Sequence, residues 1–522
     1  MPWDSARSSI SDFEMRKIVS NILCFTTLGM LFLIMFQGEA RLFDLKQLEG
    51  VTYEVKRPQL KFDDFYNNRY QSSIEKYLRN NFGFREKIIR LFNQYLWDFY
   101  HKSYSEEVAI GKDNWLYFNF NVDEYYGKEM YRWANKDDAS EQLAKKTLVF
   151  NKLRGVLKDY DIELMYFISP DKADLYPQHL PERDFDTSTI HAYDFFRKEF
   201  DRYDIPYVDM NSWFKDVQDT LDYPAIPQVS AHWVFPAVYA ADSLFRFMAD
   251  LKNTTMPQIK IGKKKENSAL TEYVIRDLEY GLNLMRPINL SDYNYYEREV
   301  SVAADSNAVK MKAIFVGNSF FRAFNQYIPL YDVFSDVKYW FYNKTEYFDP
   351  DFSNSRPIED VDRLYEILNS DYIVCFTDNA QMYKLSYLFA EDAIIKLCVS
   401  DSLWNAETER IMAENHYSRD EAEKKLKNNP LLIKGLDGDG IPTIRNEKGI
   451  ADVRNKTLLF EKIKRQLLEN NDIETIYTVN GLLSSNKLMA IVKEKALQRN
   501  QSLEKTLIQE ANWIVNHKKS LK

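Results

Sequence analysis

The stretch Ala313–Phe320, which reads Ala-Ile-Phe-Val-Gly-Asn-Ser-Phe, decides the fold that this sequence predicts. Its short apolar run is typical of a strand that is buried on both faces of a parallel sheet. The Gly-Asn-Ser step that follows predicts a sharp turn, which would display a serine at the carboxyl end of the strand. If the protein is an enzyme, Ser319 is therefore the candidate nucleophile.

Other short apolar segments predict the rest of this sheet, and they alternate with segments of helical period such as Glu141–Tyr160, Ala192–Tyr203 and Pro236–Met248. Strands separated by helices are typical of βαβ units, so the sequence predicts an α/β fold with a mostly parallel sheet. The predicted strands are Ile162–Ile168, Pro206–Met210, Ala313–Gly317, Val337–Phe341 and Tyr372–Phe376.

Composition argues against some classes of function. The net charge of -9 and the absence of a basic stripe argue against a nucleic-acid partner, which needs a basic surface. The three cysteines allow at most one intramolecular disulfide, and their spacing does not suit a metal cluster. We therefore predict neither a metal nor a cofactor.

The N-terminal segment Ile18–Phe36 has no charged residue and is about as long as a bilayer-spanning helix must be. Basic residues precede it and Glu39 follows it, so the positive-inside rule places the N-terminus in the cytoplasm and the rest outside. A cleaved signal peptide is the alternative, because Gly38 and Ala40 are small residues of the kind that a signal peptidase prefers. The length of the apolar run favours an uncleaved, single-pass anchor in the inner (cytoplasmic) membrane.

Beyond this anchor, the sequence divides into segments that differ in their pattern of apolar and polar residues. Phe62–Tyr100 predicts a helical hairpin that is broken at Asn80–Gly83, whereas Asn253–Ala308 is largely polar and predicts a surface loop around Lys263–Lys265. After Ser400, Glu, Lys, Asn and Leu recur at helical period, which predicts an all-α C-terminal region. The predicted parts are a cytoplasmic tail, the anchor, a helical linker, a catalytic domain and this helical region, at residues 1–17, 18–36, 37–105, 106–399 and 400–522.

A serine nucleophile needs a base, and His232 is the best candidate among the six histidines. It lies just before the predicted helix Pro236–Met248, where the loops of a parallel sheet place functional groups. The alternative is a partly buried histidine that packs beside Trp233. Gly317–Phe321 lacks the second glycine of a Gly-x-Ser-x-Gly turn, which disfavours an ordinary α/β-hydrolase.

Four motifs follow one another along the chain: Gly111–Leu116, Ser169–Lys172 with Tyr176-Pro177 and Leu180-Pro181, Ser230–Trp233, and Gly317–Phe320. Together, over Phe62–Asn379, they resemble the SGNH-type alginate O-acetyltransferase family (AlgJ/AlgX-like, DHHW proteins). The resemblance implies an SGNH-hydrolase-like α/β/α sandwich outside the cytoplasmic membrane that transfers acetyl groups to polysaccharide hydroxyls. It also implies a membrane-bound acetyl-transfer partner of the MBOAT type.

By this resemblance Ser319 matches the family nucleophile and His232 matches the base. Two family aspartates are absent, because Ser230 stands where the family orients its histidine and Asn318 replaces the aspartate before the nucleophile. We therefore expect a Ser–His dyad, in which Ser230 or a carboxylate from a nearby loop would orient the histidine. The candidate carboxylates are Asp209 and Asp222.

Asn318 and Arg322 are candidate donors to an oxyanion, together with the amide of Ser319. Trp233 and Lys172 are further candidates for contact with the substrate. For Arg322 the alternative is a salt-bridged surface residue on the following helix.

The leading hypothesis is a membrane-anchored O-acetyltransferase in the periplasm that modifies a cell-envelope or secreted polysaccharide through an acyl-serine. A catalytically inactive polysaccharide-binding or scaffold protein of the same fold is the alternative that the two missing aspartates raise. A carbohydrate esterase is the third.

Overall fold

The computed structural model of the chain describes residues 3–50, 55–128, 138–184, 190–269, 272–291, 293–349 and 352–520. Met1 and Pro2 of the predicted cytoplasmic tail and the last two residues of the C-terminal region lie outside these ranges.

A seven-stranded sheet forms the centre of the fold. Its order is β10-β9-β8-β7-β11-β3-β4, in which β8, β7, β11, β3 and β4 run parallel while β9 and β10 are antiparallel additions at one edge. Two antiparallel ribbons, β1 with β2 and β5 with β6, lie apart from it. The strands are β1 Val108–Ile110, β2 Leu116–Phe118, β3 Glu163–Ser169, β4 Tyr207–Asp209, β5 Gln258–Ala269, β6 Tyr296–Ala303, β7 Lys312–Gly317, β8 Asp336–Phe341, β9 Thr345–Tyr347, β10 Ser355–Pro357 and β11 Tyr372–Asp378.

The central strands are apolar because both faces of the sheet are covered. Along β11, Ile373 and Cys375 belong to the hydrophobic cluster on one face, whereas Val374 and Phe376 belong to the cluster on the other. This alternation follows from the two-residue period of a strand. Helices line both clusters, so the fold is an α/β/α sandwich with a mostly parallel sheet, as the sequence predicted.

The helices that cover the sheet and extend from it are α1 Trp3–Ala40, α2 Phe62–Tyr66, α3 Arg69–Asn81, α4 Arg85–Tyr100, α5 Asn119–Tyr125, α6 Ala139–Lys158, α7 Lys172–Leu175, α8 Ala192–Arg202, α9 Met210–Val217, α10 Ala237–Leu251, α11 Glu272–Ile275, α12 Asp277–Leu282, α13 Arg322–Tyr327, α14 Leu330–Val333, α15 Arg363–Leu368, α16 Phe389–Cys398, α17 Asp401–Asn415, α18 Arg419–Asn428, α19 Glu447–Leu468, α20 Ile473–Leu483, α21 Asn486–Gln498 and α22 Leu503–Ser520.

The C-terminal region is helical, and its apolar residues join the core on one face of the sheet. Ile411, Leu426 and Leu507 belong to the same buried cluster as Phe150 of α6. Ser418 and Glu421 form the capping box at the start of α18, since each side chain accepts a backbone N–H of the other residue. The division at residue 400 into separate domains stays a prediction.

At the N-terminus, Met15–Ala40 within α1 is long and apolar enough to cross a membrane, and most of its large apolar side chains are exposed. The hairpin that the sequence predicts over Phe62–Tyr100 consists of α2, α3 and α4, with the turn between the two longer helices at Phe82–Phe84. These helices connect α1 to the sandwich.

The largely polar segment Asn253–Ala308 does not form a surface loop around Lys263–Lys265, so that prediction is wrong. It contains the ribbon of β5 and β6 and the short helices α11 and α12. The lysines at 263–265 lie on β5, and Lys264 Nζ lies 4.0 Å from the centre of the Tyr296 ring. A ribbon that is exposed to water keeps polar side chains, so its sequence is hard to distinguish from that of a loop.

Candidate active site

Ser319 follows β7 at the carboxyl edge of the sheet, in a single 3-10 turn over Ser319–Phe321. Asn318 caps this turn, because its side-chain oxygen accepts the N–H of Phe320 at 3.3 Å. The hydroxyl of Tyr339, on the neighbouring β8, donates to the carbonyl of Asn318 at 2.5 Å. These bonds hold the backbone on both sides of the serine.

Gly317 allows this close approach of β7 to β11. A Cβ atom at this position would lie 2.2 Å from the carbonyl oxygen of Phe376, which is too close for any side chain. Gly317 is therefore required by the packing of β7 against β11.

His232 lies in the irregular segment that leads into α10, and buried side chains hold this segment against the sheet. Lys172 Nζ donates to the carbonyls of Pro227, Gln228 and Ser230 at 2.8, 2.8 and 2.7 Å. Trp233 Nε1 donates to the carbonyl of Phe320 at 2.8 Å, which joins the histidine segment directly to the serine turn. Both Lys172 and Trp233 are buried.

The structure brings Ser319 and His232 together, although 87 residues separate them: His232 Nε2 and Ser319 Oγ are 2.6 Å apart. The other ring nitrogen, Nδ1, hydrogen-bonds to the carboxylate of Asp277. An ionised carboxylate can only accept, so Nδ1 carries the proton and Nε2 presents its lone pair to the serine hydroxyl. This is the tautomer that a general base requires.

Asp277 is the first residue of α12, and its second carboxylate oxygen accepts the Ser230 hydroxyl and the Ala231 N–H, each at 2.7 Å. Burial by itself would raise the pKa of Asp277, but the bonds from His232, Ser230 and Ala231 together hold it below its ordinary value. The carboxylate therefore stays ionised at neutral pH, with 19% of the side chain exposed.

Asp277 is the site residue that the sequence analysis missed. It lies in the largely polar segment Asn253–Ala308, and no local pattern links it to His232. The two carboxylates that the sequence proposed to orient His232 have other contacts. Asp209 caps α9 and binds Tyr193 and Arg197. Asp222 binds the hydroxyl of Tyr296. Ser230, where the family has an aspartate, binds the carboxylate of Asp277 instead.

A second buried carboxylate, Asp378, ends β11 beside the serine turn. It accepts the Asn318 side-chain amide at 3.1 Å, and the backbone and side-chain N–H groups of Gln381 at 2.8 and 3.1 Å. Burial raises the pKa of Asp378 to about 6. The side chain of Asn318 is therefore already bonded at both its oxygen and its nitrogen.

A cavity of about 790 Å³ opens over Ser319 and His232. Its wall combines aromatic rings with several polar side chains and the ammonium groups of three lysines. The lining residues are Phe118, Phe120, Asn121, Lys146, Ala231, His232, Ser319, Phe320, Tyr342, Lys344, Asp378, Gln381, Tyr383, Lys384, Tyr387 and Leu388. Such a mixed, half-open cavity suits a ligand that has both apolar faces and hydroxyl groups.

Two candidate substrate contacts, Lys172 and Trp233, and one candidate oxyanion donor, Arg322, do not line this cavity. Lys172 and Trp233 are buried behind it, where they support the histidine segment. Arg322 is exposed, with its guanidinium 5.0 Å from the ring centre of Phe341 and a 3.3 Å bond to the Tyr347 hydroxyl. Among the described residues, no group of His, Cys, Asp and Glu side chains is arranged to hold a metal ion.

Residues 108–225 match the family model of an SGNH hydrolase-like domain, acetyltransferase AlgX. The resemblance to alginate acetyltransferases is thus confirmed over the first part of the sandwich, and the match ends before His232. No curated protein matches the chain.

Three solved structures are similar to the chain at low identity. The O-acetyltransferase domain of Pseudomonas putida AlgJ is 12% identical, with 53% of this chain and 92% of that chain covered and a TM-score of 0.34. Pseudomonas aeruginosa AlgX is 12% identical, with 56% and 67% covered and a TM-score of 0.33. Bacillus cereus PatB1 with a sulfonyl adduct is 13% identical, with 52% and 95% covered and a TM-score of 0.31.

Proposed function

We propose that this chain is an O-acetyltransferase that moves acetyl groups to the hydroxyls of a polysaccharide through an acetyl-serine. The observation that carries the proposal is the hydrogen-bonded row Asp277, His232, Ser319 at the edge of the cavity. The match of residues 108–225 to an acetyltransferase domain supports acetyl as the transferred group.

In the first half-reaction Ser319 Oγ attacks the acetyl carbonyl of the donor while His232 Nε2 takes the serine proton. The tetrahedral intermediate collapses to acetyl-serine, and His232 returns that proton to the leaving group of the donor. In the second half-reaction His232 removes a proton from a sugar hydroxyl, which attacks the acetyl-serine. The proton then passes to Ser319 Oγ as the ester product leaves.

Asp277 stabilises the imidazolium that forms in each half-reaction, and it remains ionised throughout. The amide N–H of Ser319 is an oxyanion donor in this proposal, because the first amides of a helical turn have no partner within the turn. Asn318 positions the serine turn, since its side-chain amide is already bonded to Phe320 and Asp378.

The acceptor occupies the cavity. The C–H face of a sugar ring packs on aromatic rings such as Phe120 and Tyr342, while its hydroxyls reach polar groups such as Gln381 and Lys344. The small acetyl group and one sugar hydroxyl need to approach Ser319 together, and the open side of the cavity leaves room for the remainder of the polymer.

The location of the enzyme is part of the proposal. The helix α1 anchors the chain in the cytoplasmic membrane with the N-terminus inside and the sandwich in the periplasm, as the charges beside the span predict. A cytoplasmic acetyl donor cannot reach Ser319 across the bilayer, so a membrane-embedded acetyl-transfer protein of the MBOAT type is the expected partner.

The test uses the purified full chain in detergent with 4-nitrophenyl acetate as donor. Release of nitrophenol and mass spectrometry of the Ser319 peptide detect acetyl-serine. Ser319→Ala and His232→Ala should abolish both signals, whereas the matched variants Ser402→Ala and His517→Ala, in the helical C-terminal region, should retain them.

Addition of oligosaccharide acceptors distinguishes the remaining functions. A transferase should accelerate turnover with an acceptor and yield an acetylated sugar. Hydrolysis that no acceptor accelerates would instead indicate a carbohydrate esterase. The absence of any acetyl-serine in the wild-type chain would contradict the proposal and favour a non-catalytic, polysaccharide-binding protein.

A further inference from the structure

The helix α4 exposes an apolar stripe along its whole length. The stripe consists of large side chains that are all exposed and that recur at helical spacing: Ile88, Leu91, Phe92, Tyr95 and Phe99. Phe99, near the end of the helix, is 75% exposed. Soluble surfaces rarely present such a continuous row, so something covers this face in the working protein.

The opposite face of α4 is fixed to the sandwich. Asn93 Nδ2 donates to the carbonyl of Leu282 at 2.7 Å, and the side-chain oxygen of Gln94 accepts the N–H groups of Met285 and Arg286 at 3.1 and 3.0 Å. Trp97 packs on a buried cluster that includes Leu278 and Leu282 of α12. The exposed stripe therefore faces away from the catalytic domain, and rotation of the helix cannot bury it.

The end of the membrane-span candidate touches the turn from which α4 starts. Gly83 N–H donates to the carbonyl of Ile34 in α1 at 3.1 Å, and a Cβ atom on Gly83 would lie 2.7 Å from the backbone nitrogen of Gly38. Because Ile34 lies in the last turn of the predicted span, this contact places the turn at the level of the lipid headgroups.

We propose that α4 lies in the membrane–water interface with its apolar stripe in the acyl–headgroup boundary of the lipid bilayer. The proposal rests on the membrane anchoring by α1 that is part of the proposed function. The stripe runs to Phe99, in a helix of 16 residues that is about 24 Å long. If α4 pointed away from the bilayer, the apolar side chains near its C-terminal end would be exposed to water, and their burial in lipid would not stabilise the protein.

The composition of the stripe fits this occupant. Tyrosine, here Tyr95, is enriched at membrane interfaces because its ring is apolar while its hydroxyl is polar. Phenylalanines such as Phe92 and Phe99 are typical of the apolar face of helices that lie in the interface. Amphipathic helices that bind membranes in this way bury one apolar face by about 5–10 Å and keep the polar face outward. Here the polar face is used for binding the sandwich.

The test is spin-label accessibility in the full chain, reconstituted in vesicles of phosphatidylethanolamine and phosphatidylglycerol without other proteins. A nitroxide is attached to Phe92→Cys or Phe99→Cys in a Cys24→Ser background; the other two cysteines are buried and should not react. Native Cys24, labelled in the unchanged chain, reports on the span itself. Leu497→Cys, at an apolar residue of α21 that is 83% exposed, is the matched control.

We expect oxygen to relax the labels at positions 24, 92 and 99 more than a water-soluble nickel chelate does, and the reverse at position 497. If the labels at 92 and 99 favour nickel while Cys24 favours oxygen, the interfacial placement is wrong and the anchoring by α1 stands. If labels at 92 and 99 are shielded from both reagents, a second copy of the chain covers the stripe and the proposal is also overturned. A nickel-accessible Cys24 would refute the anchoring itself.

Discussion

Asp277 accepts a hydrogen bond from the imidazole of His232 across 45 residues of sequence. The carboxylate comes from the start of α12, and Ser230, two residues before the histidine, binds the same carboxylate at 2.7 Å. The chain thus has a complete Ser–His–Asp geometry in which the aspartate comes from a different element than the family motif predicts. The two missing family aspartates do not leave His232 without a carboxylate.

Replacement of Asp277 with asparagine should slow acetyl transfer by up to about 10⁴-fold, as the same change does in the triad of a serine protease. The asparagine keeps the shape of the side chain but neither fixes the required tautomer nor stabilises the imidazolium. The measurement is kcat and KM for acetyl release, with Asp222→Asn as the control because Asp222 binds Tyr296. Equal rates for the two variants would mean that Asp277 does not orient the base.

The carboxyl group of Asp378 should make the protein less stable as the pH rises. Burial raises its pKa from 3.8 to about 6, so between these values the folded chain keeps a proton that the unfolded chain has released. The free energy of unfolding then falls with pH, by about 3 kcal/mol in all, and this penalty is fully present above about pH 6.

Asp378→Asn removes this titration, so the difference in unfolding free energy between wild type and variant should change over the same pH window. The measurement is urea unfolding of the full chain in detergent, followed by tryptophan fluorescence from about pH 4 to about pH 7. The change with pH is the readout, since the variant also alters hydrogen bonds at all pH values. A constant difference would show that Asp378 ionises as an ordinary carboxyl group.

Gly317→Ala should destabilise the sheet by at least about 1–3 kcal/mol, the usual cost of overpacking. The new Cβ would lie 2.2 Å from the Phe376 carbonyl oxygen, and both strands are central. Thermal unfolding should therefore shift to lower temperature. Gly281→Ala is the control, because a Cβ at that position would have no atom within 4 Å, and alanine favours the helix α12. A Tm unchanged by Gly317→Ala would contradict the assigned pairing.

Lys172→Met should loosen the segment that carries His232. The lysine supplies three hydrogen bonds to the carbonyls of this segment, and methionine fills a similar volume without a donor. Loss of these bonds should cost at least about 2 kcal/mol of stability and lower kcat more than it raises KM.

The exposed Lys215, which pairs with Asp174 at 3.6 Å, provides the control Lys215→Met. If Lys172 instead contacted the substrate, its replacement would raise KM and leave the thermal unfolding unchanged.

The parts of the fold that the sequence predicts are those set by local patterns. The apolar runs of β3, β7 and β11 are recognisable because burial on both faces confines polar residues to the ends of these strands. Ser319 was identifiable because it follows the apolar run of β7, and His232 because it precedes the predicted helix Pro236–Met248. Asp277 was not, because a six-residue helix in a polar segment carries too little periodicity to be recognised, and its contact with His232 exists only in the folded chain.

The helix α12 links the segment that carries His232 to the segment that follows α1. Its first residue binds His232, and just beyond its last residue Asn283 exchanges hydrogen bonds with the backbone of Glu49, in the segment that leaves α1. If α1 lies in the bilayer, as proposed, these contacts fix the height of Ser319 above the lipid surface. Under the proposed function, only sugar hydroxyls that pass the membrane at that height would come within reach of Ser319, which would restrict where along a polysaccharide acetylation occurs.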